Sequence, residues 1–394
     1  MTIRRTPGDF VVTEEMDPAA RASVRSQRRA GDRALYLLRK ESLTTPEAVA
    51  RLRAAAGNVG AVSHAGLKDK HAVTSQVVSL VWRARDEPAP LLEGPGWSAA
   101  FVGWLGRDVR AADIAGNRFT IVVRDLSAAA SAEMDRRAHL LVDGDALAIV
   151  NYFGAQRFGS ARHGGGFAGA ALVRGDFEGA LRLLIGTPAR KDSGARRTLT
   201  RALASRWGEW AALAAELPRS PERRPVEVLA SGGTFAQAFE ALPAIVREMS
   251  VDAFQSHLWN TAARTLARAS AGDRALVTAD EFGEMVFAPA DRLRALAGVH
   301  MPMPAPGVEA RDAWGGALTR SVAEAGLTMS ELRIPGMRRP AFGGVDRALV
   351  ARAAGFAMSE PTPDDLTPRR LKRTLSFTLP RAAYATVVLR ALGQ

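Results

Sequence analysis

The sequence predicts a mixed α/β protein of the α+β type, in which a helical middle part lies between stretches rich in strands. Short β-like stretches dominate the first 165 residues, and helical stretches rich in alanine and arginine run from about residue 167 to residue 270. Residues 372–393 are typical of a strand, a turn and a helix. With 394 residues, 47% of them hydrophobic, the chain can form one large core or two ordinary ones. We therefore expect the middle part to be a second unit.

The first part alternates short strands with two helices. Thr45 can cap the first helix, Pro46 suits its first turn and Gly57 suits its end. Residues 17–32 are charged and poor in apolar side chains, which favours a loop. Strands are predicted at residues 9–15, 33–41, 60–66, 75–82 and 117–126, and helices at 44–58, 127–145, 171–186, 201–217 and 251–269.

The composition argues against several classes of protein. The chain has no run of eighteen apolar residues, and no apolar stretch follows its basic N-terminus, so we expect neither a transmembrane helix nor a secretory signal. With no cysteine it has no disulfide and no thiol nucleophile, and its six histidines are scattered. We therefore expect a cytoplasmic protein without a metal site.

The charge of the chain points to a polyanionic partner. Its net charge is +12, and only five of its 53 basic residues are lysines. A compositional bias toward arginine explains the choice of arginine over lysine, but not the excess over 41 acidic residues. An enzyme of this charge most often binds nucleic acid through phosphate contacts. An anionic membrane surface is the weaker alternative, because no basic amphipathic helix stands out.

The run SHAGLKDKHAVTSQ, residues 63–76, places Asp69 between two of the five lysines, Lys68 and Lys70. It falls between two predicted strands, in a connection of the kind where catalytic side chains concentrate. Neighbouring side chains in an extended segment point to opposite faces, so the lysines would give Asp69 a positive field without pairing with it. An idle, solvated turn explains the same residues and, on this segment alone, explains them better.

A second stretch, NYFGAQRFG at residues 151–159, combines aromatic, amide and basic side chains. Aromatic rings stack on bases, and amides and arginine bind base edges and phosphates. Core packing explains at least one of the rings, but the amides and glycines fit a core less well. The residues of this stretch that can contact RNA are Asn151, Tyr152, Phe153, Gln156, Arg157 and Phe158.

The middle part carries a candidate phosphate-binding patch. Its five basic residues lie within twelve residues of chain, and a solvated helix face explains them equally well. They are Arg190, Lys191, Arg196, Arg197 and Arg201.

Taken in order, HAGLKDKHAVTSQ and NYFGAQRFG resemble the motifs of the TruD-type tRNA pseudouridine synthases. Other segments along the chain resemble further family patterns. They are RRTPGDFVVTEE, IAGNRFTIVVR, AFQSHLWN, IPGMRRPAFG and FTLPRAAYATVVLRALG. Between these segments the similarity is weak.

The resemblance implies a fold, a reaction and a partner. The catalytic domain would have a mixed, largely antiparallel sheet, with a large inserted α/β domain packed across a cleft. The catalytic domain would occupy residues 1–165 and 339–394, and the inserted domain residues 166–338. The enzyme would convert a uridine of tRNA, in this family position 13 of the D arm, to pseudouridine without cofactor or metal. The sequence does not indicate an oligomeric state, and a monomer is our default expectation.

The resemblance also implies roles for individual residues. Asp69 would be the catalytic aspartate, acting on the sugar as nucleophile or as base at C2′, or acting on the uracil. Phe153 would stack on the flipped uracil, and Asn151 would orient the aspartate or the base. Arg4 would be the charge partner of Asp69 at a position where the family usually has lysine, although guanidinium cannot donate a proton.

Three acidic and basic neighbours complete the implied site. Glu14 would support it from the first strand, and Lys68 and Lys70 would help to hold a carboxylate ionised beside a phosphate chain. The target base must leave its stack to reach such a site, which costs a few kcal/mol.

Two other functions fit parts of the pattern. A non-catalytic RNA-binding or RNA-folding protein would use the arginines, but it has no evident need for a carboxylate flanked by lysines. A hydrolase acting at glycosidic bonds usually needs two carboxylates. Glu14 or Glu15 could supply the second, although nothing in the sequence brings either of them to Asp69.

Overall fold

The computed structural model describes residues 2–84, 86–159, 166–188 and 194–394. Its contacts divide the chain into two compact units. The first unit consists of residues 1–149 and 351–394, and the second of residues 150–350.

In the described part of the first unit, twelve strands form one sheet. Their bounds are β1 Phe10–Met16, β2 Arg33–Glu41, β3 Val59–His64, β4 Val73–Trp82, β5 Leu91–Gly94, β6 Trp97–Leu105, β7 Ile114–Leu126, β8 Val142–Asp143, β9 Ala146–Val150, β14 Val350–Met358, β15 Thr362–Pro363 and β16 Leu371–Pro380. The numbers β10 to β13 belong to four strands of the second unit: β10 Leu276–Asp280, β11 Gly283–Phe287, β12 His300–Pro302 and β13 Asp346–Ala348.

The strands of the large sheet run in the order β5-β6-β2-β4-β1-β7-β16-β14-β9-β8, with β3 paired to β4 and β15 to β16. Most neighbours are antiparallel, and β1 runs parallel to β4. The prediction of a mixed, largely antiparallel sheet is confirmed. The pairing brings the N-terminal strand β1 beside β7 and β4, and it places the C-terminal strand β16 on the other side of β7.

The part of the first unit that the structure describes has four α-helices: α1 Pro18–Ala22, α2 Thr45–Ala56, α3 Ala128–Leu141 and α13 Ala385–Ala391. Helix α1 lies in residues 17–32, where the sequence predicted a loop, and Asp17 caps it by accepting hydrogen bonds from the Ala19 and Ala20 N–H groups.

The cap of α2 is Thr44 and not Thr45 as predicted. The Thr44 hydroxyl accepts a hydrogen bond from the Glu47 N–H. In turn, the Glu47 carboxylate accepts one of 2.7 Å from the Thr44 N–H. Thr45 lies in the first turn, fully buried, and its hydroxyl is therefore available for contacts outside the helix.

The second unit is mainly helical. Its longest helix, α10, runs for 28 residues between Pro243 and Gly272, where a φ of 58° suits glycine. The helices are α4 Ala168–Val173, α5 Phe177–Leu181, α6 Gly194–Ser205, α7 Trp210–Glu216, α8 Arg223–Ala230, α9 Phe235–Glu240, α10 Ala244–Ala271, α11 Ala290–Leu293 and α12 Asp312–Glu324. Within the described residues of this unit, two small antiparallel sheets, β10-β11 and β12-β13, accompany them.

Each unit has its own core. In the first unit, β2, β4 and β6 turn Tyr36, Leu38, Val78 and Trp104 toward the buried side of α2. In the second, Leu203, Phe239, Leu258 and other side chains of the helices form a separate apolar cluster.

A buried arginine joins three segments of the first unit. Arg124 of β7 binds Asp9 at 2.9 Å, Asp364 at 2.8 Å and Asp365 at 2.7 Å. The side chains of Asp9 and Asp364 are almost entirely buried. Buried charges are tolerated when each has an ionic partner, so Arg124 holds the N-terminal segment and the segment before β16 against β7.

The Arg124 cluster gives a stability prediction. Replacing Arg124 with Met leaves buried carboxylates without their cation, so we expect the free energy of unfolding in urea at pH 7 to fall by about 3–5 kcal/mol. Arg118→Met, on the same strand, breaks an exposed pair with Glu15 and should cost less than about 1 kcal/mol. Equal losses for the two variants would contradict the prediction.

The same cluster sets a pH dependence. Burial alone would raise the pKa of Asp364, but hydrogen bonds from the Leu366 and Asp125 N–H groups and from Arg124 outweigh it and hold that pKa below 3.8. The folded state therefore binds a proton on the Asp364 carboxylate more weakly than the unfolded state does. The stabilisation that the ionised Asp364 gives to the folded state is lost as the pH falls below 3.8. The difference between wild type and Arg124→Met should accordingly shrink when urea unfolding is repeated at pH 3.

Candidate active site

The candidate site of the first unit is built on residues 65–72, which connect the antiparallel strands β3 and β4. Asp69 lies in the middle of this connection with its side chain 24% exposed, so solvent and a ligand can reach the carboxylate.

Both carboxylate oxygens of Asp69 have a donor. Oδ2 is 2.6 Å from Nη1 of Arg4, and Oδ1 accepts a hydrogen bond of 3.0 Å from the His71 N–H. A cation and a backbone donor thus hold the carboxylate from two sides. The arrangement therefore presents a fixed, partly accessible negative charge.

Arg4 is itself held in place. Its guanidinium carbon lies 4.1 Å from the centre of the Phe10 ring, at the start of β1. Its φ of 64° lies in the left-handed region that non-glycine residues seldom adopt, which turns the N-terminal segment toward the loop. The RRTPGDF motif thus supplies Arg4, the ring beneath it and Asp9, the partner of Arg124.

Three buried polar side chains fix the backbone of the loop. Nζ of Lys40 donates to the Asp69 carbonyl at 2.7 Å, Thr45 Oγ1 accepts from the Lys68 N–H at 2.9 Å, and Gln76 Nε2 donates to the Gly66 carbonyl at 3.1 Å. Thr45 also donates to Gln76 at 3.0 Å, so two of the anchors support each other. Lys40 and Gln76 are fully buried.

Lys40 is an unusual anchor because it is a cation at the edge of a core. It follows Ala34, Tyr36 and Leu38 on the inward face of β2. Burial lowers the pKa of its ammonium group, and the nearby Asp69 carboxylate opposes part of that shift. A buried ammonium needs acceptors, and the Asp69 carbonyl is one.

The two lysines beside Asp69 have different partners. Lys68 extends into a nearly buried pair with Glu14 of β1 at 2.8 Å and donates to Asn117 of β7 at 2.7 Å. Glu14 also accepts from the Val77 N–H of β4 at 3.0 Å. Lys70 is exposed and lies 3.9 Å from Glu47. Lys68 therefore ties the loop to β1 and β7 directly and to β4 through Glu14, whereas Lys70 remains at the surface.

The stretch Asn151–Phe158 belongs to the second unit. Arg347 of β13, itself buried, donates to the Asn151 carbonyl at 2.9 Å and to its side-chain Oδ1 at 2.8 Å. The Asn151 amide nitrogen donates to the Ala348 carbonyl at 3.0 Å. Its side chain is thus used to fix the conformation of this stretch against β13.

Phe153 is held on several sides. The Arg347 guanidinium lies 4.0 Å from its ring centre, and Trp259 meets the ring edge-on at 5.6 Å. Asn260 of α10 accepts from the Phe153 N–H and donates to its carbonyl, both at 2.9 Å. The QSHLWN part of α10 therefore determines where this ring lies.

Gln156 and Arg157 differ in their availability. Gln156 is exposed, whereas Arg157 donates to Ser256 at 3.1 Å and pairs with Asp252 at 3.1 Å.

Of the predicted phosphate patch, Arg196 pairs with Glu222 at 2.7 Å and Arg201 is exposed on α6, which also carries Arg197. Arg190 and Lys191 lie outside the described residues.

The residues that the structure describes contain neither a candidate metal site nor a helix that could span a membrane. No three acidic or histidine side chains come together in a way that could hold a metal ion. None of the helices in these ranges combines the length and hydrophobicity needed to cross a membrane.

Comparison with known proteins identifies the family. The family model described as tRNA pseudouridine synthase D (TruD) matches residues 1–392. The chain belongs to the TruD family. This confirms the family that the motifs predicted and, with it, the enzyme class of the tRNA pseudouridine synthases, which are isomerases.

Individual relatives agree with the TruD assignment. A probable tRNA pseudouridine synthase D of Halobacterium salinarum is 31% identical over 84% of this chain and 78% of its own length. A probable tRNA pseudouridine synthase D of Pyrobaculum neutrophilum is 32% identical over 98% of this chain and 90% of its own length. A crystal structure from Methanosarcina mazei, described as a TruD protein, superposes on this chain with a TM-score of 0.70 at 22% identity. The superposition covers 99% of this chain and 92% of that one, so the two proteins share the same fold.

Sequence reasoning missed four residues that organise the TruD motifs. The chain has only five lysines, and Lys40 could have been noticed because it lies on an otherwise apolar face of a predicted strand. Asn117 begins a predicted strand and Asn260 lies within the AFQSHLWN segment, but nothing near either residue in the sequence indicates its partner. No local signal marked Arg347, because it contacts Asn151 across 196 residues of chain.

Lys40 yields a test of the loop anchor. In Lys40→Met we expect the amides of residues 69–71 to exchange hydrogen at least about tenfold faster, because the bond to the Asp69 carbonyl is lost. The free energy of unfolding should change by less than about 2 kcal/mol, because the cost of burying the ammonium is also removed. Exchange mass spectrometry and urea unfolding measure the two effects. Unchanged exchange in this loop would refute the anchor.

Arg347 yields a matched test in the second unit. Arg347→Met leaves the buried acceptors of Asn151 and Tyr152 without their donor, so we expect a loss of at least about 2 kcal/mol in urea unfolding. Arg268→Met breaks an exposed pair with Glu284 and should cost less than about 1 kcal/mol. A loss for Arg347→Met no larger than that of this control would mean that the buried hydrogen bonds contribute little.

Proposed function

We propose that this protein isomerises a uridine of tRNA, at position 13 of the D arm, to pseudouridine, with Asp69 as the catalytic group. The observation that carries the proposal is the Asp69 carboxylate, which is accessible, paired with Arg4 at 2.6 Å and held on a loop anchored from the core. The curated relatives of the TruD family bear the name of this activity.

The reaction needs few chemical groups. The bond between C1′ and N1 of the uridine breaks, the uracil turns, and C1′ joins C5, while the hydrogen lost from C5 is balanced by one gained at N1. No atom is added or removed, so one positioned carboxylate can carry the proton or covalent steps. It can act on the sugar as nucleophile or as base at C2′, or it can act on the uracil.

We propose that the surroundings of Asp69 hold its carboxylate in position for this work. Arg4 always carries its charge and therefore acts as a charge partner and not as a proton donor. Glu14 acts through Lys68, because their buried pair fixes the residue next to Asp69. Lys70, which is exposed, is available to the phosphate chain of the substrate.

In the second unit we propose that Phe153 contacts the flipped uracil. Its ring is positioned by Arg347, Trp259 and Asn260, so little side-chain entropy remains to be lost on binding. Asn151 then acts by holding this stretch, because both ends of its amide already have partners. We further propose that Gln156, Arg157 and the arginines of α6 bind RNA phosphates or base edges.

The proposal extends to organisation and location. The TruD-type insertion would correspond to residues 166–338, within the second unit, and the catalytic domain to residues 1–165 and 339–394. The protein would act as a monomer in the cytoplasm, where its tRNA substrate is found.

The decisive test uses unmodified tRNA with uridine at position 13. Purified full-length protein is incubated with it without added cofactor or metal, and pseudouridine is mapped by carbodiimide modification and primer extension. We expect a new stop at position 13 with wild type. Asp69→Asn should lower the rate at least about a hundredfold, because the carboxylate is lost, while tRNA affinity stays within about threefold.

A matched control removes a carboxylate elsewhere. Asp86 is an exposed aspartate of the first unit, and Asp86→Asn changes the net charge as Asp69→Asn does. It should retain full activity. Undiminished turnover in Asp69→Asn would reject the catalytic assignment, and salt-sensitive binding without any pseudouridine in wild type would favour a protein that only binds RNA.

A further inference from the structure

The loop that carries Asp69 displays an apolar side chain to solvent. Leu67, two residues before Asp69, is 72% exposed, which is far from the usual environment of a leucine. Single exposed apolar residues are common and need no explanation by themselves. The position of Leu67 and the rigidity of its surroundings distinguish it from such cases.

The backbone on both sides of Leu67 is fixed from the core. Gly66 accepts from buried Gln76, and the Lys68 N–H donates to buried Thr45. The Lys68 side chain is almost buried in its pair with Glu14. A loop that is tied down at the residues before and after a leucine has no freedom to fold that leucine back into the core. Several buried polar contacts therefore fix a segment in which one apolar side chain remains exposed.

We propose that Leu67 is an apolar wedge that enters the base stack of the tRNA when the target uridine leaves it. The inference rests on the proposed function and deepens it, because it names the residue that assists extrusion of the base. A uridine must leave its stack to bring its sugar and base to Asp69, and this costs a few base-stacking contacts. Inserted apolar side chains, leucine among them, stabilise unstacked base steps in other nucleic-acid complexes.

The geometry fits this role in three respects. Leu67 has no charge, so it can contact the faces of neighbouring bases without desolvation of an ion. It is on the same anchored loop as Asp69, so its entry into the stack and the approach of the carboxylate are coupled. The cationic side chains Lys70 and Arg4 lie in the same site, where they can meet the phosphates on either side of the extruded nucleotide.

The first arm of the test is a single-turnover rate on tRNA with saturating protein. We expect Leu67→Ala to form pseudouridine at least about tenfold more slowly, equivalent to about 1.4 kcal/mol, and Leu67→Met to stay within about threefold of wild type. Leu91 is also exposed, at 52%, but it lies on strand β5, and Leu91→Ala should leave the rate unchanged.

The second arm separates a wedge from a merely structural role. The tRNA carries 2-aminopurine beside the target uridine, and the proteins carry Asp69→Asn so that no reaction follows binding. Unstacking should raise the fluorescence on binding, and adding Leu67→Ala should abolish most of that rise while adding Leu91→Ala should not. Binding of all three proteins is verified by filter retention.

The outcomes separate the two proposals. A Leu67→Ala rate within about twofold of wild type, or a slow Leu67→Ala with the full fluorescence rise, would overturn the wedge while pseudouridine formation by wild type stands. Absence of pseudouridine with wild type would instead reject the proposed function. In that case the fluorescence arm still decides whether Leu67 unstacks RNA.

Discussion

The hydrogen bond from the Lys40 ammonium to the Asp69 carbonyl is the contact on which the geometry of the first unit's site depends. It joins the apolar face of β2 to a surface loop at 2.7 Å, and it requires an ammonium group to remain where burial disfavours its charge. Such a group is retained at a cost to stability. Here it gives a surface carboxylate a position determined by the core.

The second unit uses the same physical device with a different cation. Arg347 is buried beside Asn151 and Phe153. It donates to the backbone and side chain of Asn151, and its guanidinium covers the ring of Phe153. Asn260 closes the arrangement from α10 through two hydrogen bonds to Phe153. In both units, buried polar side chains from distant segments fix the short stretch that carries the motif.

The net charge of +12 gives an incomplete picture of how the protein uses its cations. Arg124 and Lys68 neutralise buried carboxylates, and Arg4 pairs with Asp69, so these cations organise the protein before any RNA arrives. Exposed residues such as Lys70 and Arg201 remain available to phosphates. Composition alone does not distinguish these cations with structural partners from the exposed ones.

The sequence by itself determined the family, the mixed α+β class, most of the strands and helices, and Asp69 as the candidate catalytic residue. These depend on local pattern and on motifs, which can be seen within a few residues. It could not identify Thr44 as the cap, because Thr45 offers the same side chain. Nor could it assign Lys40, Asn117, Asn260 and Arg347 to their partners. Those contacts span tens to hundreds of residues and exist only once the strands and helices have packed, so only the tertiary structure decided them.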